Sequence, residues 1–187
     1  MKFKNNFEML CYQAVERAIG TADVDLQHNK ELTADFVPGK GVISFSGSPK
    51  KEIDVLCTRL TPDLSLLISA KDLETRATPA MVQEWASVVQ TMNKHAEGKS
   101  FLGLVVSACG FTSGCGAWAI DSNLGLVPPY KGKVTAYSRD AVERMLERVV
   151  RVSRRLAESG RHNLGKNSNY YWSVYKCTSD FAEASSG

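Results

Sequence analysis

Apolar positions recur at two periods along this chain, and the alternation between them sets out its elements. Phe7, Leu10, Cys11, Ala14, Val15 and Ala18 fall at helical spacing, which predicts an amphipathic helix from Phe7 to Ile19. Asn5 or Asn6 caps its start and Gly20 stops it. From Thr21 to Lys40 the chain is polar and mixed, and no element is predicted there. Gly41 to Ser46 alternates like a half-buried strand. Glu52-Ile53-Asp54-Val55-Leu56-Cys57 and Leu66-Leu67-Ile68-Ser69-Ala70-Lys71 are short, apolar and β-prone, with a turn at Thr61-Pro62-Asp63 between them. They read as a hairpin.

Pro79 suits the first turn of a helix that runs to about Lys94 and buries Met81, Trp85, Val88, Val89 and Met92. Phe101 to Ser107 is a continuous apolar run, as expected of a strand covered on both faces in a mixed or parallel sheet. Gly110 to Ser113 leads into a short helix from Gly114 to Ile120, and a last strand, Leu124 to Val127, ends at Pro128-Pro129. Ser138 caps a long helix from Arg139 to about Ala157, with Val142, Met145, Leu146, Val149, Val152 and Leu156 as its apolar stripe. The order is helix, three strands, helix, strand, helix, strand, then the long helix. That is an α/β fold with a mixed central sheet flanked by helices. Residues 1–137 are expected to form the core and 138–178 a basic helix and tail packed on it. Residues 179–187 are expected to be disordered.

Composition narrows the class. With 187 residues, 43% hydrophobic and 23% charged, the chain can bury one sizeable core as a soluble protein. No apolar run is long enough to cross a bilayer, and Met1 to Asn6 has no apolar segment behind it to act as a secretory signal. The five cysteines lack paired spacing, which points to a reducing, cytoplasmic setting, and three dispersed histidines make a His-rich zinc site a poor fit.

The candidate chemistry lies on the hairpin. An acid, Asp54, and a lysine, Lys71, stand on neighbouring strands, and neither belongs in an apolar strand without a partner. Side-chain alternation puts Ser69 and Lys71 on one face and Ile68 and Ala70 on the other, and points Asp54 away from Ile53 and Val55. A carboxylate, an oxygen donor and a lysine so placed suit metal-assisted phosphodiester hydrolysis. Asp54 would bind Mg²⁺, with Mn²⁺ as a substitute, and Lys71 would hold the attacking water or offset charge gathering on the phosphate. A serine is a weak ligand, so a further acid is expected. Glu84 on the following helix and Glu8 on the first helix are favoured, with less weight on Glu52. Glu74 and Asp72 fall in a loop. An ordinary cross-strand ion pair is the competing reading of Asp54 and Lys71.

Asp54 followed by Ser69-Ala70-Lys71 resembles the PD-(D/E)xK nuclease signature with serine in place of its second acid. The surroundings resemble the Mrr-type restriction endonuclease group. Phe7-Glu8 is similar to that group's first-helix pair, Phe101 to Thr112 to its apolar strand and turn, and Ala117-Trp118-Ala119-Ile120 to its alanine-bearing helix. The resemblance covers about residues 5–130. It implies a restriction endonuclease-like sheet, Asp54 as metal ligand, Lys71 as catalytic lysine and Glu8 as the first-helix acid. It also implies that Glu84 replaces the acid missing at Ser69, as in restriction enzymes that carry serine there.

The long helix is rich in arginine. Arg151, Arg154 and Arg155 have few acids nearby and are the candidates for DNA phosphate contacts, while solvated helix pairs are the competing reading. Its apolar stripe is also a possible homodimer contact, since two cuts in a duplex are most simply made by two copies. The sequence thus supports a Mg²⁺-dependent DNA endonuclease, with defence against foreign DNA as its expected setting. The alternatives are a degenerate nuclease-fold domain that only binds DNA or a protein, and an RNA-directed nuclease.

Overall fold

A computed structural model describes residues 3–20, 25–32, 51–95, 100–130 and 137–159. In chain order the elements are α1 Asn6–Ile19, β1 Asp25–Leu32, β2 Lys51–Thr61, β3 Leu64–Lys71 and α2 Pro79–His95. They continue with β4 Ser100–Ser107, α3 Cys115–Asp121, β5 Gly125–Val127 and α4 Arg139–Glu158. The five strands form one sheet in the order β1-β2-β3-β4-β5. The first three are antiparallel, and β4 and β5 run parallel to β3. The chain is therefore an α/β fold with a mixed sheet.

The sheet separates two apolar layers. On one face Val55, Cys57, Leu66, Ile68, Leu102, Leu104 and Val106 pack with α1 and α4. On the other, Leu56, Leu67, Phe101, Val105 and Leu126 pack with α2 and α3. β4 contributes to both layers by simple alternation, which is why its sequence is apolar without a break. Gly103 faces α2, where a Cβ would stand 2.4 Å from Val89 Cγ2 and 2.6 Å from Leu124 Cδ2. The helix can lie this close only because that position has no side chain. Asn93 fixes the other end of the same contact: its Nδ2 donates to Phe101 O at 2.9 Å and its Oδ1 accepts from Phe101 N at 2.8 Å.

The helix ends follow local chemistry. Asn5 Oδ1 accepts from Glu8 N at 2.8 Å to cap α1, and Gly20, at φ +67°, closes it by donating to Glu16 O at 3.0 Å. Ser138 caps α4 by accepting from Ala141 N at 3.2 Å.

Two expectations change, and two fall outside the described residues. β1 lies in the polar stretch that predicted no element, and the strand expected at 41–46 falls outside the described residues. Among the described residues β1 is an edge strand, paired on one side only, and its sequence DLQHNKEL has too few apolar residues to show the period. The apolar stripe of α4 is covered within the chain: Val142, Met145, Leu146, Val149 and Val150 are buried in the layer shared with α1. It is not left open for a dimer. The tail after Gly160, with its aromatic residues, also lies outside the described residues.

Candidate active site

The sheet opens between β2 and β3, and Asp54 stands in the opening. The β2–β3 ladder runs through Cys57–Leu66, Leu56–Leu67 and Val55–Ile68. The next rung would join Asp54 to Ser69. There β2 stays with β1, pairing down to Lys51, while β3 stays with β4, pairing up to Lys71–Ser107. The Asp54 carboxylate bridges the gap: its Oδ2 accepts from Ala70 N at 2.7 Å. The alternation of β2 slips at this point. Ile53 packs in the α2 layer and Val55 in the α1–α4 layer, although regular alternation would put them together. Asp54 therefore lies within the plane of the sheet, not on the face opposite both neighbours as its sequence suggests.

Burial pushes the Asp54 carboxyl up from its ordinary range, the most important influence on it. The Ala70 amide and the Lys71 charge pull it back down, while Glu8 and Glu52 push it up further, and the net direction is upward. Lys71 ends β3 on the α2 face with Ser69, as expected, since Ile68 and Ala70 take the other face. Ser69 is buried, with 4% of its surface exposed. A carboxylate in its place would be a second buried charge beside Asp54.

Of the remaining acids Glu8, Glu52, Glu84 and Asp72 are each held by another group, while Glu74 is exposed in the loop after β3. Glu8 is buried and completes the α1 cap: its Oε1 accepts from Asn5 Nδ2 at 3.1 Å and its Oε2 from Lys4 N at 3.2 Å. Glu52 pairs with Lys4. Glu84 pairs with Lys51, which holds its carboxyl below the usual range, helped by the more distant charge of Lys71. Asp72 takes Arg139 at 2.6 Å, and that guanidinium also lies 5.6 Å from the centre of the Phe7 ring. So Asp54 feels Glu8, Glu52 and Lys71, and Glu84 feels Lys71. No group of three or more His, Cys, Asp or Glu among the described residues is arranged to hold a metal. An ion of the Mg²⁺ kind binds through one or two carboxylates and completes its shell with water and substrate phosphate, so a site here would need Glu84 or Glu8 to leave its present partner. Asp54, with Glu84 or Glu8, would hold it.

One neighbour of the site had no warning in the sequence pattern. Asn29 lies on β1 between the His28–Val55 and Lys30–Ile53 pairs, so it stands opposite Asp54. Its φ is +47°, a conformation asparagine tolerates better than most residues, and its buried Oδ1 has no hydrogen-bond partner among the described residues. Only the recognition of β1 would have found it.

The arginines divide. Arg154 is structural: Nη1 donates to Ile19 O at 3.0 Å, fastening the end of α1, and Nε pairs with Glu158 at 2.9 Å. Arg151 pairs with Glu147 at 2.8 Å, one turn away. Arg155 is exposed, with no ion pair among the described residues. All three lie toward the end of α4 remote from Arg139, on the order of 20 Å away at 1.5 Å per residue. The cation that α4 brings near Lys71 is Arg139.

No family model and no curated protein matches this chain. Among solved structures it is similar to a protein titled "Crystal Structure of Protein of Unknown Function AF1548". The identity is 11% and the TM-score 0.46, over 93% of this chain and 99% of that one. No helix among the described residues is long and apolar enough to cross a membrane.

Proposed function

We propose that this chain is a restriction endonuclease-like domain of the Mrr type that hydrolyses DNA phosphodiester bonds with Mg²⁺ in the cytoplasm, in defence against foreign DNA. The observation that carries the reading is the opening of the sheet at Asp54 beside Lys71. It sets a carboxylate of raised proton affinity, one oxygen held by the Ala70 amide, next to an ammonium group. A structural ion pair does not need such an opening.

Bound at Asp54, the ion would polarise a phosphate oxygen and acidify a water molecule. Lys71 orients the attacking water and offsets negative charge as it builds on the phosphate. The Ala70 amide holds one oxygen of Asp54, which leaves the other as the one that would ligate an ion. Ser69 contributes a hydroxyl and no charge. Glu84 or Glu8 supplies the further carboxylate, which requires Glu84 to leave Lys51 or Glu8 to leave the α1 cap. Arg155 offers a phosphate contact farther along the duplex.

The test is plasmid nicking with Mg²⁺ or Mn²⁺ and with EDTA, by the native chain, Asp54→Ala and Lys71→Ala. Cleavage by the native chain alone, lost with EDTA, is the expected result. Equal cleavage by all three removes the assignment. A second reading, a degenerate domain that binds DNA without cutting it, is favoured by the buried Ser69 and by the engagement of Glu8, Glu52 and Glu84 with other groups. It predicts salt-sensitive DNA retention and no nicking.

A further inference from the structure

A cleft of about 690 Å³ opens beside Lys71, between the loop that follows β3 and the turn that follows β4. Ala77 N donates to Gly110 O at 2.9 Å and Thr112 N to Ala77 O at 3.0 Å, which stitches the two segments into one rim. Ala108, in the wall, donates its N–H to the main-chain carbonyl of Lys71 at 3.1 Å, so the cleft borders the backbone at the end of β3. Its volume falls in the range of about 300–1,000 Å³ usual for small-ligand sites. The lining is specific in kind. Arg76 is exposed and has no ion pair among the described residues. Thr75 and Thr78 bring hydroxyls, Glu74 a carboxylate, and Tyr137 an aromatic ring.

We propose that this cleft receives one unpaired nucleotide of the DNA strand, next to the phosphate that is cut. The inference rests on the nuclease reading and names its substrate: DNA with an unpaired or extruded base. Among the described lining residues Arg76 is the cation and Glu74 the carboxylate, a pair that suits a nucleotide, which carries both a phosphate and hydrogen-bond donors. Arg76 meets its phosphate, Tyr137 stacks on the base, and Glu74 accepts from an exocyclic amino group. The recess lies between two loops, and a base stacked within a duplex cannot enter it without leaving the helix.

The experiment measures binding of the full chain, by fluorescence anisotropy with Ca²⁺ in place of Mg²⁺, to three labelled DNAs. They are a paired duplex, the same duplex with one unpaired nucleotide, and the single strand. The unpaired forms should bind about 5- to 150-fold tighter than the paired duplex, the range that one base–aromatic stack supports. Arg76→Ala should weaken single-strand binding and reduce the slope of log K against log salt by about 0.7, the value for one phosphate. Tyr137→Ala should remove the preference and Tyr137→Trp should keep it, with circular dichroism showing each variant folded. Equal affinity for all three DNAs, or a preference that survives both alanine variants, overturns the cleft while nicking stands. Failure to bind any DNA overturns the cleft and the nuclease reading together.

Discussion

Two substitutions at Asp54 separate its charge from its hydrogen bond. Asp54→Asn keeps an oxygen that can accept from Ala70 N, a contact of 2.7 Å in the native chain, and removes the charge. Asp54→Ala removes both and leaves the Ala70 N–H without an acceptor. An orphaned buried donor costs about 1–3 kcal/mol, so the asparagine variant should be the more stable of the two by that amount. In a domain of this size each kcal/mol moves the melting temperature by about 2–4 °C. The charge adds a pH signature. Burial raises the folded-state carboxyl above its ordinary value of 3.8. Below that value the group is protonated in both states and has no effect. As pH rises through it the unfolded chain releases its proton first, the folded chain holds more protons, and stability falls until the folded carboxyl has also ionised. Asp54→Asn lacks this loss, so its advantage over the native chain should be absent near pH 3.5 and present at pH 7.5. Urea unfolding of the three proteins at several pH values reads both effects. An asparagine variant no more stable than the alanine variant, or one whose difference from the native chain does not change with pH, would refute the account of Asp54. Both variants should lose nicking.

Glu84→Gln should lower nicking at least ~10-fold, while its stability, resting on an exposed pair with Lys51, changes by less than about 1 kcal/mol; unchanged nicking would leave Glu8 as the recruited acid. Because that pairing lowers the Glu84 carboxyl, its small stabilisation should be present above the unfolded pKa and fade as pH falls through the folded one. Gly103→Ala should destabilise by about 1–3 kcal/mol in thermal melts, since the new methyl meets Val89 and Leu124 at 2.4 and 2.6 Å; a neutral result would mean that α2 moves away freely. Thiol labelling of the native chain should be fast at exposed Cys109 and very slow at buried Cys11, Cys57 and Cys115, with Cys57 pushed up to about 12; mass mapping of early adducts at any of the buried three would contradict the packing of both layers.

Much of the fold can be read from apolar spacing because most elements meet the core. α1, α2 and α4 each present a stripe, β4 presents two apolar faces, and the β2–β3 hairpin presents both. β1 is illegible for the same reason in reverse: among the described strands it is at the edge, held by backbone pairing, and backbone pairing leaves no mark on side-chain pattern. The stripe of α4 shows a related limit. Sequence gives its width and not its occupant, and α1 rather than a second copy covers it. Among the arginines, Arg154 looks like a phosphate contact in sequence because its acceptor, Ile19 O, is a main-chain carbonyl that no residue type announces.

The site is legible to the extent that it depends on neighbouring strands. Lys71 and Ser69 follow strict alternation along β3, which remains paired to β4 throughout, so their shared face could be read in advance. Asp54 departs from alternation because β2 is held on one side by β1 and released on the other by β3. A strand paired on one edge can twist without losing its place in the sheet, and that twist turns the carboxylate into the plane where the Ala70 amide waits. The burial that raises Asp54 and the hydrogen bond that holds its Oδ2 therefore have one cause. Any substitution that closes the ladder past Val55–Ile68 would satisfy Ala70 through main-chain pairing and send Asp54 to one face, removing hydrogen bond, raised proton affinity and proximity to Lys71 at a single step.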